Sequence, residues 1–354
     1  MKLINPCVLF PLILGLMSCV PTPEEMSEAA LETFSEEIKI AATIQSEMDS
    51  IPPYMKNVWL CTYGETAHYD DLTTQHIETM SCTVSVEYND RFAVVSANGI
   101  PNHDFKSGLG CCAEPQEYVW RIPLQPTIAD KSEPAPERGP VAISINGAPF
   151  YGPEAGSGGD AVAAHHGYYV EDRQPITLGV CGGHSGPGGA YHYHYDANCV
   201  HWHPDETKSS WEDWSTDLLQ PDAASPVIGF AFDGYPIYGP YGYDNNGNLK
   251  EMTSSYRLKQ GYNGYGGIDD WEYVKDLGDL DECNGIISKI PETDEPTYHY
   301  HASITSGSAE IGFPYFILCY TGEPELSNFQ IDVLDAPHPP VRDALPPPDG
   351  GLAP

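Results

Sequence analysis

The sequence predicts a mainly β fold, built from two related halves with long loops that disulfides hold in place. Three observations lead to this prediction. The chain contains 34 glycines and 33 prolines, which disfavour long helices. Several short runs alternate apolar and polar residues, as half-buried strands do. One long pattern of residues also occurs twice in the same order, and an internal repeat dictates architecture.

The repeated pattern opens with an apolar strand, turns at Asn-Gly or Asp-Gly, and ends on a Tyr-His-Tyr-His tetrapeptide. The first copy spans residues 141–203 and the second spans residues 227–322. Their tetrapeptides are Tyr191–His194 and Tyr298–His301. A weaker echo of the turn, at Asn98–Pro101, precedes both copies. We expect a pseudo-two-fold arrangement in which the tetrapeptides meet near the axis.

The remaining segments frame this repeat in one predicted domain over residues 56–334. Opening strands are expected within residues 56–128, among them 83–87, 91–96 and 118–122. The Pro-rich stretch 129–140 is predicted to be a loop.

The two ends of the chain have their own predicted structures. Apolar residues recur every three to four positions between Met26 and Met48, which predicts an acidic helical stalk over residues 19–55. Residues 335–354 carry seven prolines and little else apolar, which indicates a disordered tail.

The first residues resemble an export signal. A basic Lys2 is followed by an apolar run, Val8–Met17, and by Ser18-Cys19. This order is typical of a signal peptide over residues 1–18 with Cys19 as the lipidated first residue of a bacterial lipoprotein. Val20 at the second mature position favours the outer membrane or cell surface. The alternative is ordinary signal cleavage, with Cys19 incidental.

The charge balance restricts the partners. The chain has 51 acidic and 16 basic residues, a formal net charge of −35. Nucleic acid is excluded as an expected partner because phosphate binding needs clustered Lys and Arg. The predicted partner is a membrane, contacted through lipid on Cys19; the sequence identifies no protein or small-molecule partner.

Eight cysteines remain after Cys7 and Cys19, an even number that indicates disulfides in an exported chain. Cys181 and Cys199 bracket the first tetrapeptide, and Cys283 and Cys319 bracket the second. The repeat predicts that each bracket closes on itself. The other candidates are Cys61, Cys82, Cys111 and Cys112.

The tetrapeptides predict a metal site. Alternate residues of a strand point to the same face, so His192 and His194 share one face, as do His299 and His301. If the tetrapeptides lie side by side, the four imidazoles converge, with His184 nearby. Such a site suits copper or zinc. The alternative is that the Tyr-His ladders only stabilise a sheet.

Further residues are candidates for weaker roles. His201 and His203 form a third His-x-His pair, and His103 follows the third turn echo. Asp233 occupies the second turn, where a hydrogen-bonding or second-layer role is expected. The oxygen-rich stretch 244–248 suggests calcium weakly, because its glycine is misplaced for an EF-hand.

Taken together, the repeated turns, the two tetrapeptides, the Leu280–Gly285 stretch and the closing Pro314–Gly322 segment resemble the YHYH domain family over roughly residues 85–325. The resemblance implies an extracytoplasmic, metal-binding domain and supplies no reaction. Three hypotheses stay open: a surface lipoprotein that binds copper or zinc, a metal-dependent hydrolase or oxidase using the same histidines, and a non-catalytic binding or structural module.

Overall fold

A computed structural model describes most of the chain between residues 50 and 329, with several gaps. The described residues are 8–10, 18–20, 36, 39, 50–71, 76–103, 105–107, 113–156, 159–162, 178, 182–195, 200–201, 222–264, 266–303 and 312–329.

The first of two compact units, Met1–Ile51, is described at few positions. Its strands β1 (Val8–Phe10) and β2 (Ser18–Val20) pair antiparallel. Residues 36, 39 and 50 are helical, and the apolar positions of the predicted stalk lie outside the described residues, as does the predicted tail. Among the helices that the structure describes, none is long and apolar enough to cross a membrane.

The second unit, Pro52–Pro354, is organised around an eight-stranded sheet that both copies of the repeat build. The first copy supplies β10 (Pro140–Ser144), β11 (Pro149–Tyr151), β12 (Gly183–Ser185) and β13 (Tyr191–Tyr193). The second copy supplies β14 (Val227–Ala231), β15 (Pro236–Tyr238), β20 (Gly285–Ile290) and β21 (Thr293–His301).

The second unit also contains smaller sheets of two or three strands. The opening segment forms β3 (Glu65–Asp71), β4 (His76–Cys82), β5 (Val84–Tyr88), β6 (Phe92–Ala97), β7 (Phe105–Ser107) and β8 (Tyr118–Pro123). Later strands are β9 (Ile128–Pro134), β16 (Tyr241–Tyr243), β17 (Leu249–Glu251), β18 (Tyr256–Leu258), β19 (Trp271–Tyr273) and β22 (Cys319–Gly322). Short 3-10 helices lie at Pro53–Met55, Pro187–Gly189, Gly267–Asp270 and Leu326–Asn328.

The order of the central sheet is symmetric with respect to the two copies of the sequence pattern. The strands run β12-β13-β11-β10-β14-β15-β21-β20. When β10 is matched to β14, β11 to β15, β12 to β20 and β13 to β21, the order reads the same from either edge. The centre of this palindrome is the antiparallel pair β10–β14, in which Ile143 faces Phe230.

Both hairpins of the repeat have the same register. Ile143 pairs with Pro149 in one and Phe230 with Pro236 in the other, and each hairpin has an irregularity near its outer end. The turn glycines explain the tight turns: Gly147 has φ +84°, and a Cβ there would lie 2.4 Å from the Cβ of Ala97. Only glycine fits such a position without strain.

The buried residues of the central strands form the core around this sheet. All five residues of β10 and all five of β14 are buried. Strands covered on both faces read as continuous apolar runs, which is why these two segments lack the alternation of the opening strands. Phe150 stacks on Phe316 at 4.4 Å between ring centroids and continues the core beyond the sheet.

The opening strands follow the sequence prediction, and one predicted loop does not. Strands β5, β6 and β8 pair as a three-stranded antiparallel sheet. The predicted loop 129–140 is wrong in its first half, because Ile128–Pro134 forms β9 and pairs with β22. The prolines misled the prediction, since an edge strand tolerates proline at its end.

Two disulfides lie among the described residues. Cys283–Cys319 closes the bracket around the second tetrapeptide, as the repeat predicted. Cys61–Cys82 joins residues of the opening segment. The predicted Cys181–Cys199 bridge lies outside the described residues, as do Cys111 and Cys112.

The tetrapeptide tyrosines fasten each copy to its own hairpin turn. Tyr193 Oη accepts from Asn146 Nδ2 at 3.0 Å and lies 2.7 Å from His103 Nε2. Its counterpart Tyr300 donates to Asp233 Oδ2 at 2.6 Å. Asn146 and Asp233 therefore have the same structural role, because each bonds its turn to the tetrapeptide strand.

Asp233 is the ionisable member of this pair. It is buried, and its Oδ2 also accepts the Gly322 N–H at 2.9 Å. Burial raises the pKa of this carboxyl from 3.8 to about 6, although its hydrogen bonds work in the opposite direction. The native state therefore binds a proton between these pH values that the unfolded chain has released.

We predict that Asp233→Asn will remove a pH-dependent part of the stability. In wild type, the contribution of Asp233 is present near pH 4 and is lost as pH rises through about 6. The difference in free energy of unfolding, wild type minus variant, should fall by about 2 to 3 kcal/mol between pH 4 and 7. Urea unfolding of both proteins measures it, and a constant difference across this range would contradict the prediction.

Candidate metal centre

Three histidines come together at the outer strands of the first copy. His192 lies on β13 and His194 directly follows this strand, while His184 lies on β12, directly opposite His192. Cross-strand partners have neighbouring side chains, and the rings of His184 and His192 are 4.5 Å apart between centroids. One ligand nitrogen from each of the three lies within 4.8 Å of the others.

Backbone carbonyls decide which ring nitrogens are available. His192 Nδ1 lies 3.0 Å from the carbonyl oxygen of Ala190, and His194 Nδ1 lies 3.0 Å from that of Gly152. A carbonyl oxygen only accepts, so each Nδ1 carries the proton. A neutral imidazole has one N–H, so both Nε2 atoms present a lone pair.

The two unprotonated nitrogens lie close together. His192 Nε2 and His194 Nε2 are 3.2 Å apart. With both protons on Nδ1, this contact is not a hydrogen bond, and the two lone pairs repel each other. A cation bound to both nitrogens would replace this repulsion with attraction. Two nitrogens at about 2.05 Å from a tetrahedral ion would be roughly 3.3 Å apart. The spacing therefore fits two ligands of one metal ion.

The surroundings keep these imidazoles neutral. His192 and His194 are buried, 4% and 2% exposed, whereas His184 is partly exposed. Desolvation lowers the pKa of His194 to about 4 and the pKa of His192 well below its usual value, and the neighbouring histidines lower the latter further. The Tyr151 ring stacks on His192 at 3.8 Å and fixes its plane. Neutral imidazole is the form that binds metal ions.

The second copy repeats the pair but not the third ligand. His299 and His301 have ring centroids 4.9 Å apart, as His192 and His194 do. Their Nδ1 atoms also face carbonyls, those of Thr297 at 2.8 Å and Gly239 at 2.6 Å. The position opposite His299, however, is Ile286, where the first copy has His184.

The expectation that all four tetrapeptide histidines converge is wrong. Four strands, β11, β10, β14 and β15, lie between β13 and β21. At about 4.8 Å per strand, the two pairs are separated by roughly 24 Å along the sheet. The copies meet through their first strands, β10 and β14, so their last strands lie outermost.

The other candidate residues lie elsewhere. His103 and Asp233 contact the tetrapeptide tyrosines on the opposite face and do not join the three histidines. His201 Nε2 contacts the Val227 carbonyl at 2.7 Å, and His203 lies outside the described residues. The predicted weak calcium segment is a turn in which Asp244 Oδ1 accepts the amides of Asn246 and Asn248, each at 2.8 Å.

A second group of potential ligands consists of Glu282, Cys283 and Cys319. Its two sulfurs form the disulfide described above, so neither is a thiolate. This group therefore offers a metal ion one exposed carboxylate only, and it is no candidate for a transition-metal centre.

Comparison with known proteins places the chain. Residues 119–322, which contain both copies and all five of these histidines, match the family described as YHYH protein. The chain belongs to the YHYH protein family. Neither a curated protein nor a solved structure matches it significantly.

Sequence reasoning on this YHYH protein missed how the imidazoles are oriented. The sequence suggested a second-layer role for Asp233, whereas the carbonyls of Ala190 and Gly152 orient His192 and His194. The signal was present in the repeat, because Gly152 and Gly239 occupy the same place in the Tyr-Gly-Pro motif of each copy. Backbone acceptors leave no mark in residue type, so only the repetition reveals them.

We predict that His184→Ile will convert the first site of this YHYH protein into the arrangement of the second. The variant keeps His192 and His194 but loses the third nitrogen, so divalent-metal affinity should fall by about 10- to 100-fold or more. Calorimetric titration with Zn²⁺ measures the loss. Retention of wild-type affinity would show that His184 is not a ligand.

Proposed function

We propose that this YHYH protein is an exported, membrane-anchored protein that binds one divalent transition-metal ion, copper or zinc, through His184, His192 and His194. The observation that carries the proposal is the 3.2 Å separation of the two unprotonated Nε2 atoms. Two nitrogen lone pairs this close together inside the protein repel each other, and a cation bound to both nitrogens would stabilise them.

The three imidazole nitrogens favour a transition-metal ion of intermediate softness. Three neutral nitrogens suit zinc, copper, nickel and iron, whereas calcium and magnesium require oxygen ligands. Cys283 and Cys319, the described cysteines beside the second tetrapeptide, form a disulfide and offer no thiolate. Copper and zinc are the two we favour, because both bind imidazole tightly at neutral pH.

Binding of a metal ion for storage or handling is the first candidate function, and metal-dependent hydrolysis is the second. Three protein nitrogens leave a coordination position open, which catalytic zinc sites also do. A catalytic site additionally needs a cavity for substrate beside the ion. Storage or handling needs only the ligands themselves, which the three described histidines supply, so it is the function we propose.

The predicted location supports the same function. An exported protein with disulfides works where thiols are oxidised, and histidine is then the main side chain left for transition metals. A lipid on Cys19 would hold the domain at the membrane surface, where metal ions enter or leave the cell envelope.

We predict that His192→Ala combined with His194→Ala will abolish binding of one metal ion per chain at the first site. The two buried ligands provide most of the affinity, so about 1 equivalent of Zn²⁺ or Cu²⁺ should be lost after dialysis. Metal analysis of wild type and variant, both reconstituted with one metal at a time, measures it.

The control is His201→Ala, which removes a histidine that contacts a backbone carbonyl outside the group. This variant should keep the wild-type metal content. Equal metal content in the double variant and wild type, or none in reconstituted wild type, would refute the proposal and leave the histidines as structural residues.

We predict that Cys19 carries the lipid anchor. Cells given a labelled fatty acid should label wild type and Cys7→Ala, because Cys7 lies inside the predicted signal peptide. Cys19→Ala should not be labelled, since a lipoprotein is modified only at the cysteine that becomes its first residue. Gel fluorography of the purified proteins measures this, and equal labelling of Cys19→Ala would discard the anchor.

A further inference from the structure

We infer that the second copy of the repeat forms a separate site for monovalent copper, built from His299, His301 and the thioether of Met252. This second site goes beyond the function proposed above, and it shares no residue with the group of three histidines. Either site can therefore fail experimentally while the other holds.

The first observation is an unpartnered nitrogen. His301 is 1% exposed, and its Nδ1 is engaged by the Gly239 carbonyl. Its Nε2 is buried and has no hydrogen-bond partner among the described residues. A buried polar atom without a partner is destabilising, so such an atom in a native protein requires an explanation. A bound cation supplies the missing partner.

The second observation is what lies in front of this nitrogen. A Cβ built on Gly242 of β16 would lie 2.6 Å from His301 Nε2 and 3.2 Å from Met252 Cγ. His301 Nε2 and Met252 Cγ both lie close to this Cβ position, so the two atoms are at most about 6 Å apart. Met252 is fully buried, and its flexible side chain allows the sulfur to approach an ion at Nε2.

The third observation is the residue that replaces the third histidine. Ile286 belongs to the same buried cluster as Met252 and Leu280. The apolar Ile286 excludes water and offers no ligand atom. Met252 thus lies on the side of the site where the second copy lacks a third imidazole, and a His₂Met set replaces the His₃ set.

The ligand chemistry selects a monovalent soft ion. Thioether sulfur favours Cu(I) over divalent ions. All three ligands are neutral and buried, so the full charge of the ion remains uncompensated. The cost of burying a charge grows with its square, so a monovalent ion is buried far more cheaply than a divalent one. The first site differs because His184 is partly exposed and leaves room for water or an anion.

The test is competition for Cu(I) against a chromophoric chelator, under anaerobic conditions with ascorbate, using His192→Ala/His194→Ala as the parent protein. The parent lacks the first site, so the expected result is one Cu(I) bound per chain. Adding Met252→Leu should weaken Cu(I) binding about tenfold or more, since loss of a ligand costs at least as much as loss of a residue that orients one. Adding His299→Ala and His301→Ala should abolish binding.

Met80→Leu is the matched control, because Met80 lies on β4 in another sheet and its replacement should leave Cu(I) binding unchanged. X-ray absorption should show a sulfur neighbour of copper that disappears in Met252→Leu and persists in Met80→Leu. Leucine preserves the shape of Met252, and thermal unfolding checks that each variant is folded. Absence of Cu(I) binding in the folded parent, or unchanged affinity in Met252→Leu, would overturn the proposal.

Discussion

The two-residue period of an extended strand is the constraint on which both histidine pairs depend. It places the tyrosines of each tetrapeptide on one face and the histidines on the other. On the tyrosine face, Tyr193 and Tyr300 bond to the turn residues Asn146 and Asp233. On the histidine face, the Gly152 and Gly239 carbonyls hold Nδ1 of His194 and His301. One strand therefore fixes a turn and presents two oriented imidazoles at the same time.

The same framework carries different residues beside the histidine pair in its two copies. His184 in the first copy corresponds to Ile286 in the second, each opposite the first histidine of its tetrapeptide. The contacts of Nδ1 with backbone carbonyls are retained in both copies. The 3.2 Å contact between Nε2 atoms belongs to the first copy, since His301 Nε2 has no hydrogen-bond partner among the described residues. What changes is the third neighbour, and with it the number and softness of the ligands that an ion would find. The carbonyls that orient the pair are therefore common to both copies, while the residue beside the pair differs.

Much of this could be predicted from the sequence because it follows from local rules. The hairpins follow from Asn-Gly and Asp-Gly turns, the shared face of His192 and His194 follows from strand alternation, and the Cys283–Cys319 bridge follows from its place in the repeat.

The failures concern which strands are neighbours. Nothing in the residue pattern says that the copies join through β10 and β14, and that choice separates the tetrapeptides by four strands. A pseudo-two-fold axis brings together only the elements closest to it. Met252 was missed for a related reason. It is a single apolar residue in an insertion between β15 and β20, and only the fold brings it to His301.

The outer strands of the two copies differ in length, and this difference suggests a structural role for His184. In the second copy, β20 and β21 are six and nine residues long, and Ile286 and Met252 belong to the apolar cluster beside them. In the first copy, β12 and β13 have three residues each, so few backbone hydrogen bonds hold the edge strand.

An ion bound by His184 from β12 and by His192 from β13 would join these two strands directly. Because a ligand that binds only the folded state stabilises it, metal binding would strengthen the edge that is held by the fewest hydrogen bonds. The edge with the long strands needs no such link, which explains how an isoleucine can take the place of the third ligand there.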